Sequence, residues 1–527
     1  MKWVVIAGLL LFGIVWAVLS WKGDRDENRA KRISGICGII FSILTVVVGI
    51  PVVISLDKPS VPTQESSNHG SDKQDSHSED GTLDVYMENK TTTIQPTSEY
   101  YLGKDLQAYA NGLYYKEFSA DTGKSFSMGG VSYYNGFTIG TYTNGGYACF
   151  NLNGQYRSLT GVAGNVDGVN HAVTYNVLGD GELLTKINIA GGGLPVPFDI
   201  DVTGVKELKI QATGDSNYSE GVGFGNPVVS VLSSVTPKVE RPKSQESAKI
   251  GQDVRAYVNG LYYKEFSADN GKTFSMGGVS YNSGFTIGTY TNGGYACFNL
   301  DGQYQSLTGV AGNVDGVNHA VTYNVLGDGE LLKKIDIPGG GLPVPFDIDV
   351  TGVKELKIQA TGDSNYSEGV GFGNAVLSVS SSIEPKLERP QSKDGAKIGQ
   401  DIHAYVNGLY YKEFSIETGK GFSMGGVTYD YGFTIGTYTN GGYACFNLDG
   451  QYKSLTGVAG NVDGVNHSVS YNVLGDGKLL KKIAVPSGGL PVSFNIDVTG
   501  VRELKFQATG DSNYSNGVGF GNLLLGK

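Results

Sequence analysis

The chain has 527 residues and is acidic, with 40 Lys and Arg against 51 Asp and Glu and a formal net charge of −11. This balance argues against a nucleic-acid partner, because phosphate backbones are bound through basic surfaces. The 79 glycines indicate a chain rich in tight turns, and the three tryptophans all lie near its start, at Trp3, Trp16 and Trp21.

Two uncharged apolar segments open the chain, at 3–21 and 33–56. Each is long enough to cross a hydrocarbon layer about 30 Å thick, so a transmembrane helical hairpin is predicted over residues 1–56. The intervening loop 22–32 carries five basic residues, which the positive-inside rule places in the cytoplasm. The lipid bilayer is therefore one predicted partner, although a cleaved signal peptide is an alternative interpretation of the first segment.

Residues 57–98 are polar and poor in aromatic residues, a composition that predicts a flexible stalk. A coil of this length has an average reach of about 35 Å, so the part that follows stays close to the membrane. The predicted location is a multi-pass position in the cell membrane with everything after the hairpin outside the cell.

The remainder of the chain is one sequence written three times. The string GFTIGTYTNGGYACFNL occurs at 136–152, 284–300 and 432–448, each copy 148 residues after the last. This period is far too long for a solenoid unit and long enough for a domain with its own core. The predicted domains are 99–234, 247–382 and 395–527, joined by spacers of proline and mixed charge.

Within each copy, apolar and polar residues alternate over short stretches, as in half-buried antiparallel strands. Examples are Phe137 and Ile139, followed later by Val173, Tyr175 and Val177. Asn153-Gly154 and Asp180-Gly181 are strong hairpin-turn signals. The predicted fold class is all-β, with three tandem antiparallel β-sandwiches behind two transmembrane helices.

Four stretches stand in an order that resembles a known module: YLGKDLQAY at 101–109, MGGVSYYNGFTIGTYTN at 128–144, LGDGELL at 178–184 and FDIDVTGVKELKI at 198–210. They are similar to the NPCBM-type carbohydrate-binding module, carbohydrate-binding module family 51. The resemblance implies a jelly-roll-like sandwich that binds glycans, has no catalytic machinery and belongs to a bacterium with a thick wall. The family's closing run usually contains His and Trp, whereas GDSNYSEGVGFGN at 214–226 contains neither.

No stretch composes a catalytic site, and the chain is not predicted to be an enzyme. His171 recurs once per domain in the run VDGVNH, but no nucleophile motif accompanies it. Asp180 is read as a turn residue, and Asp199 and Asp201 as exposed strand residues, rather than as a glycosidase pair. Cys149 has one equivalent in each domain, so no domain can form an internal disulfide.

No cofactor is predicted, although two oxygen-rich loops leave Ca²⁺ as an alternative. The first loop contains Asn165, Asp167 and Asn170, and the second contains Asp215 and Asn217. Neither has the dense carboxylate cluster that a strong calcium site requires.

Tyrosine is the candidate ligand-binding residue, because the repeats contain no Trp. A phenol ring offers an apolar face for a sugar ring and a hydroxyl for its polar groups. Tyrosines beside Gly- and Asn-rich turns are the best candidates, although strands also favour Tyr for packing. The predicted ligand-binding set is Tyr133, Tyr142, Asn144, Tyr147, Tyr218, Tyr281, Tyr290, Asn292, Tyr295, Tyr366, Tyr429, Tyr438, Asn440, Tyr443 and Tyr514.

Two functions fit these features. The first is a membrane-anchored surface protein whose three modules bind cell-wall or host polysaccharide by avidity. The second is an adhesive or structural surface protein whose sandwiches contact proteins or act as spacers. The absent Trp-containing run favours the second function, and the Tyr- and Asn-rich loops favour the first.

Overall fold

The structure is a computed structural model that describes residues 99–141, 145–213, 221–233, 235–289, 293–361, 369–381, 384–385, 388–438, 441–509 and 517–527. The two predicted membrane segments and the predicted stalk lie outside the described residues. The described helices are three short 3-10 turns, one per repeat, and none of them is long and apolar enough to cross a membrane.

Each repeat contains thirteen short strands and one 3-10 turn. Repeat 1 comprises β1 Glu99–Tyr101, β2 Ala110–Asn111, β3 Lys116–Phe118, the turn Ala120–Thr122, β4 Phe126–Met128, β5 Val131–Tyr133, β6 Gly136–Ile139, β7 Tyr147–Asn151, β8 Ser158–Asn165, β9 Val173–Gly179, β10 Glu182–Ile189, β11 Val196–Asp201, β12 Glu207–Thr213 and β13 Val222–Ser230. Repeat 2 comprises β14 Ser247–Lys249, β15 Val258–Asn259, β16 Lys264–Phe266, the turn Ala268–Asn270, β17 Phe274–Met276, β18 Val279–Tyr281, β19 Gly284–Ile287, β20 Tyr295–Asn299, β21 Ser306–Asn313, β22 Val321–Gly327, β23 Glu330–Ile337, β24 Val344–Asp349, β25 Glu355–Thr361 and β26 Val370–Ser378. Repeat 3 comprises β27 Ala396–Lys397, β28 Val406–Asn407, β29 Lys412–Phe414, the turn Ile416–Thr418, β30 Phe422–Met424, β31 Val427–Tyr429, β32 Gly432–Ile435, β33 Tyr443–Asn447, β34 Ser454–Asn461, β35 Val469–Gly475, β36 Lys478–Val485, β37 Val492–Asp497, β38 Glu503–Thr509 and β39 Val518–Gly526.

Two antiparallel sheets form each repeat. In repeat 1 the first sheet has the order β11-β8-β13-β6-β3, with β1 paired to the other part of β13, and the second has the order β10-β9-β12-β7-β2. The other two repeats have the same strand order. The three all-β, antiparallel repeats predicted from the sequence are therefore confirmed.

The core of each sandwich is built from the residues that alternate along its strands. Phe137, Ile139, Tyr175 and Val177 are completely buried in repeat 1. Equivalent clusters of buried residues fill repeats 2 and 3, and each cluster draws its members from its own repeat. Each repeat thus closes a hydrophobic core without help from its neighbours.

The two turn signals have different outcomes. Asp180 and Gly181 have positive φ angles of 50° and 87° and join β9 to its antiparallel partner β10, as predicted. Asn153 and Gly154 also have positive φ angles, but the strands that flank them, β7 and β8, belong to opposite sheets. The hairpin predicted there is wrong, because Leu152 is buried and its turn hydrogen-bonds to Lys206 instead of closing a ladder.

A small hairpin, β4 with β5, packs on the outer face of the first sheet as a third layer. The aromatic rings of this hairpin pack directly on the backbone of β13, so two positions there must lack a side chain. The glycines of GVGFGN meet this requirement. A Cβ at Gly223 would lie 2.4 Å from the Phe126 ring, and one at Gly225 would lie 2.3 Å from the Tyr133 ring. The glycine alternation near the end of each repeat is therefore a packing requirement.

Charged side chains of the spacers form ion pairs with the neighbouring sandwiches. In the first spacer, Lys238 forms an ion pair of 2.7 Å with Glu99, and Arg241 lies 3.6 Å from Asp301 of the next repeat. The second spacer has the same type of contact between Arg389 and Asp449, at 3.6 Å. Each spacer therefore contacts the sandwich that follows it.

Candidate functional site

An exposed leucine and tyrosine stand side by side just after the second strand of every repeat. We call this pair the Leu–Tyr surface; it consists of Leu113 and Tyr114, Leu261 and Tyr262, and Leu409 and Tyr410. The leucines are 53, 55 and 55% exposed and the tyrosines 45, 44 and 47% exposed. Because the same apolar residues are left in solvent three times over, the surface is a candidate binding site.

The backbone of this surface is in an unusual conformation. The three tyrosines have φ angles of 57°, 59° and 57°, in the left-handed region that bulky residues rarely occupy. Such strain persists only where the surroundings enforce it, and it concentrates at functional sites. Gly112, which precedes the pair, lets the backbone of this turn lie against the carbonyl oxygen of Gly145. A Cβ at this position would lie 1.7 Å from that oxygen.

In repeat 3 the structure brings a tyrosine of the predicted set onto this surface. The rings of Tyr410 and Tyr438 stack with centroids 5.7 Å apart and an interplanar angle of 28°. Tyr438 was predicted from its Gly- and Asn-rich turn, whereas Tyr410 was not. Together they make a stacked pair of rings, exposed at Tyr410 and half-buried at Tyr438, that offers an apolar aromatic face to a ligand.

A buried tyrosine supports the end of the sandwich that carries this surface. The phenol of Tyr175 donates a hydrogen bond to the carbonyl of Gly140 at 2.7 Å, and Tyr323 and Tyr471 make the same bond in the other repeats. Burial raises the pKa of the Tyr175 phenol, which therefore remains a donor. A Cβ at Gly140 would lie 3.0 Å from the carbonyl oxygen of Leu113, so this anchor lies directly beneath the Leu–Tyr surface.

Eight of the fifteen residues of the predicted ligand set lie outside the described residues. These residues are Tyr142, Asn144, Tyr218, Tyr290, Asn292, Tyr366, Asn440 and Tyr514. The described residues that bound their segments meet at one end of the sandwich, where Ile139 pairs with Val222 and Tyr147 with Gln211. The assignment of these eight residues stays a prediction.

Tyr133, Tyr281 and Tyr429 of the predicted set are core residues. They are 1, 1 and 8% exposed, and each stacks on a phenylalanine of its own hairpin. Rings in this position offer no open face to a ligand, so the structure does not support their assignment. Strand position and packing on glycine explain them, which is the alternative that the sequence left open.

Tyr147, Tyr295 and Tyr443 lie on a different surface, which in repeats 2 and 3 forms part of the junction with the preceding repeat. One ring face of each is covered by a lysine ammonium 5.0–5.1 Å from the centroid. We call the surface around them the front face; in repeat 1 it comprises Tyr109, Ala110, Tyr147, Cys149 and Asn151. The rear face is the surface it meets, which in repeat 1 comprises Gly129, Gly168, Asn170, Gly192 and Leu194.

Hydrogen bonds join the rear face of repeat 1 to the front face of repeat 2. The amide of Gly168 donates to the carbonyl of Tyr257 at 2.9 Å, and Asn170 Nδ2 donates to the Tyr295 hydroxyl at 2.6 Å. The Tyr257 hydroxyl lies 2.9 Å from the carbonyl oxygen of Gly192 and donates at 2.7 Å to Glu355 of its own repeat. The two repeats are therefore hydrogen-bonded to each other through backbone as well as side-chain atoms.

Apolar packing completes the junction. Leu194 packs against a buried cluster that includes Tyr257, Val258 and Cys297. The second junction repeats the first: Gly316 N to Tyr405 O is 2.8 Å, Asn318 Nδ2 to Tyr443 Oη is 2.6 Å, and Leu342 packs on Tyr405, Val406 and Cys445. The two junctions are therefore built by equivalent residues in the same way.

The run VDGVNH, which the sequence singled out, supplies the rear face. Buried Asn165 donates to the carbonyls of His171 and Ala190, at 3.1 and 2.8 Å, and so shapes the loop. The carboxylate of Asp167 accepts from the amide of Gly130 at 3.1 Å. These are structural roles, and within the described residues no group of three or more His, Cys, Asp or Glu is placed to hold a metal ion.

The junction also alters the chemistry of two carboxyl groups. Burial raises the pKa of Asp167 and of Asp315 to about 6, against the opposing effect of the glycine amides that bond to them. Asp463, the equivalent residue of repeat 3, has no described repeat after it and is exposed. The docked repeat is therefore the source of the burial.

The cysteines and the remaining carboxylates have ordinary structural roles. Cys149, Cys297 and Cys445 are free thiols on their front faces, and burial raises the pKa of Cys297 and of Cys445 to about 12. Asp180 accepts hydrogen bonds from the amides of Lys206 and Glu207, which lower its pKa. These contacts fix the turn between β9 and β10.

The Leu–Tyr surface was missed in the sequence because periodicity marks residues that are buried. Its signal is the string NGLYYKEF, present in all three copies. Two consecutive large apolar residues directly after Asn-Gly, before a strand begins, indicate a turn that leaves them exposed. The junctions give no comparable signal, since their side-chain hydrogen-bond partners lie 65 to 170 residues apart in the sequence.

The fold and these surfaces define a class of protein, namely tandem β-sandwich modules that each present an aromatic surface. A family model for the NPCBM/NEW2 domain matches residues 71–230, 234–378 and 390–523. The chain belongs to this family, as the resemblance indicated. No protein with a curated function matches it.

Several solved structures are similar over one or more repeats. Tandem CBM51 modules of a family 98 glycoside hydrolase from Streptococcus pneumoniae share 11% identity over 54% of this chain and 99% of that chain, with a TM-score of 0.22. A CBM51 module from Clostridium perfringens in complex with methyl-galactose shares 19% identity over 25% of this chain and 99% of its own, with a TM-score of 0.21. Another, from Clostridium perfringens ZmpB in complex with GlcNAc, shares 16% identity over 24% and 29% of the two chains, with a TM-score of 0.20.

Proposed function

We propose that the chain is a non-catalytic, membrane-anchored surface protein that binds polysaccharide through its three modules. The observation that carries this proposal is the Leu–Tyr surface, which is exposed to the same degree in every repeat. An exposed phenol ring offers a sugar ring an apolar face to pack on and a hydroxyl for its polar groups. Membership of the NPCBM/NEW2 family supports glycan as the ligand.

Docking between repeats leaves the proposed sites open. Tyr114, with no described repeat before it, is 45% exposed, and Tyr262 and Tyr410, which follow a junction, are 44 and 47% exposed. Three weak sites on one chain bind a repetitive polymer about 10²–10⁴ times more tightly than one site does, provided that they engage together. Avidity for a polysaccharide, rather than strong binding of one sugar, is therefore the expected mode.

A glycan array probed with residues 99–527 tests this function. We expect binding to a defined class of glycan, and we expect the triple substitution Tyr114→Ala, Tyr262→Ala and Tyr410→Ala to abolish it, because each module loses its aromatic face. The matched control is the triple substitution of Leu183, Leu331 and Leu479 to Ala, at leucines that are 52, 52 and 59% exposed elsewhere on the repeats. Binding that survives the tyrosine substitutions would exclude this surface.

The same wild-type fragment separates avidity from single-site binding. We expect three modules to be retained on an insoluble form of the recognised glycan far more strongly than the third module alone. On a short oligosaccharide that fills one site, the two should have equal affinity per site. Equal retention on the polymer would contradict avidity.

One observation favours a second function, that of a spacer or protein-binding rod. The two equivalent junctions hold the modules in a docked row, which a flexible set of independent binders would not need. Under this function the array shows no glycan binding by the wild-type fragment, whereas the junctions persist.

A further inference from the structure

The ends of the row of repeats each carry one half of the junction. Repeat 1 has a front face with no described repeat before it, and repeat 3 has a rear face with no described repeat after it. Tyr109 of the front face is 59% exposed, whereas its equivalents Tyr257 and Tyr405 are 4 and 5% exposed in junctions. Leu490 of the rear face is 78% exposed, while Leu194 and Leu342 pack into the junction clusters.

These two faces, which no described repeat covers, keep the residues that make the junctions. The rear face of repeat 3 has Gly425, Gly464, Asn466, Gly488 and Leu490 at the positions of the rear-face residues of repeat 1. The front face of repeat 1 matches those of repeats 2 and 3 except that Ala110 replaces Val258 and Val406. The surfaces are therefore complementary to each other, with slightly less apolar contact at position 110.

Both faces are also preorganised. A hydrogen bond to Glu207 raises the pKa of Tyr109 to about 12, so this phenol already has the tyrosine–glutamate pair seen in both junctions. Asn466, which corresponds to the donor Asn170, is oriented by Ser487, whose hydroxyl donates to Asn466 Oδ1 at 2.5 Å. Little rearrangement is needed before the two faces can dock.

We propose that the rear face of repeat 3 binds the front face of repeat 1 of a second copy of this chain, so that copies join head to tail. The partner is a second copy because the contact continues a junction that the chain makes twice within itself. Such a heterologous contact leaves one free face of each kind after every addition and builds open chains rather than closed dimers. Without a linker the contact is weaker than the internal junctions, and confinement of copies on one surface strengthens it.

Sedimentation of residues 99–527, whose repeats each have a complete core, tests the proposal. We expect the average mass to rise with concentration and with no fixed end point. Leu490→Asp places a charge in the apolar cluster and should weaken association at least about tenfold. The matched control Leu479→Asp changes a leucine that is 59% exposed, against 78% for Leu490, and whose equivalents Leu183 and Leu331 are also exposed. It should associate like the wild type.

Two capped variants make the test specific for the head-to-tail contact. Leu490→Asp keeps its front face and Tyr109→Ala keeps its rear face, so neither alone should form chains, but a mixture should form a one-to-one heterodimer and stop there. A wild-type fragment that stays monomeric at millimolar concentration overturns the proposal. Association that is insensitive to Leu490→Asp, or a mixture that forms no heterodimer, also overturns it.

Thiol labelling of the full chain gives a second measurement that does not depend on mass. Cys149 is 6% exposed, against 3 and 2% for Cys297 and Cys445. It should react faster than they do at low protein concentration, because a local movement within its own repeat exposes it, whereas a junction must open to expose the other two. Its labelling, followed by peptide mass spectrometry, should slow as concentration rises and should not slow in the Leu490→Asp variant. Labelling of Cys149 that is independent of concentration contradicts the proposal.

Discussion

At the scale of single residues, the most informative feature is a tyrosine in the left-handed region of the backbone. Tyr410 has a φ angle of 57° and a ring that is 47% exposed, so its backbone is strained and its ring gains only partial burial, through the contact with Tyr438. A conformation of this kind costs about 1–3 kcal/mol in a residue other than glycine. Its occurrence in every repeat indicates that the ring is kept for function.

Because the backbone at Tyr410 is strained, we predict that replacing this residue by glycine abolishes glycan binding without a loss of stability. Tyr410→Gly in the third repeat should leave the free energy of unfolding unchanged or raise it by up to about 1 kcal/mol, because the strain is relieved, while glycan binding is lost. Tyr410→Ala should lose binding without that gain. Urea unfolding of both variants checks the prediction, and a loss of more than about 1 kcal/mol in the glycine variant would show that the ring stabilises the fold.

The sequence predicted the buried residues of the longer strands correctly, but it did not distinguish core tyrosines from exposed ones. Alternation located Phe137, Ile139 and Tyr175 because a strand with one buried face imposes a period of two. Tyr133 was misassigned because its own alternation, in a strand of three residues, is too short to separate a core ring from a loop ring. The packing of Tyr133 on Gly225 depends on a contact between strands β5 and β13 that no local pattern encodes.

At the scale of elements, the VDGVNH loop illustrates how the same residues change meaning in the fold. Asn165, Asp167 and Asn170 formed a candidate calcium loop in the sequence, yet the structure uses them to shape the loop and to dock the next repeat. The Asn153-Gly154 turn is a second example, because it adopts the expected turn angles but joins strands of opposite sheets. Local chemistry predicted the turn, and only the sheet order decides what the turn connects.

The raised pKa values at the junctions predict a dependence of docking on pH. Asp167 and Asp315 have a pKa of about 6 when docked, above the ordinary value of 3.8, so the docked state takes up protons more readily than the undocked state. Docking is then strongest below about pH 4 and weakens as pH rises through 6, by up to about 3 kcal/mol per carboxyl group.

Hydrogen exchange at the amides of Gly168 and Gly316, which donate across the junctions, measures this effect. Protection should fall between pH 4 and pH 7 after correction for the intrinsic exchange rate. The double variant Asp167→Asn and Asp315→Asn removes the titrating groups and should show no such fall. Identical profiles for the variant and the wild type would refute the assignment to these carboxyl groups.

At the scale of the whole molecule, the repeats were evident from the sequence and their arrangement was not. A string repeated at intervals of 148 residues predicted three domains of one kind, and three sandwiches with the same strand order confirm it. The junctions depend on a match between two surfaces at opposite ends of a module. Such a match has no signature in a single sequence, and Tyr295 and Tyr443, which accept hydrogen bonds across the junctions, were therefore predicted only as sugar-binding residues.

The proposed membrane anchor predicts the topology of the full chain. Five basic residues in the loop 22–32 place that loop in the cytoplasm and Ser66 outside. A Ser66→Cys variant, with Cys37→Ser and Cys149→Ser to remove competing thiols, should react with a membrane-impermeant reagent on intact cells more than the same background with Ser66 does. Labelling that requires lysis would reverse the orientation.

The central claim, that each module binds glycan through its Leu–Tyr surface, is tested most directly by nuclear magnetic resonance. The isotope-labelled third repeat, residues 395–527, exposes both its Leu–Tyr surface and its front face, so one titration with the recognised oligosaccharide compares them. If the Leu–Tyr surface binds the glycan, chemical shifts will change at Leu409, Tyr410 and Gly441. Changes confined to Tyr405 and Cys445, or no changes at all, would contradict it.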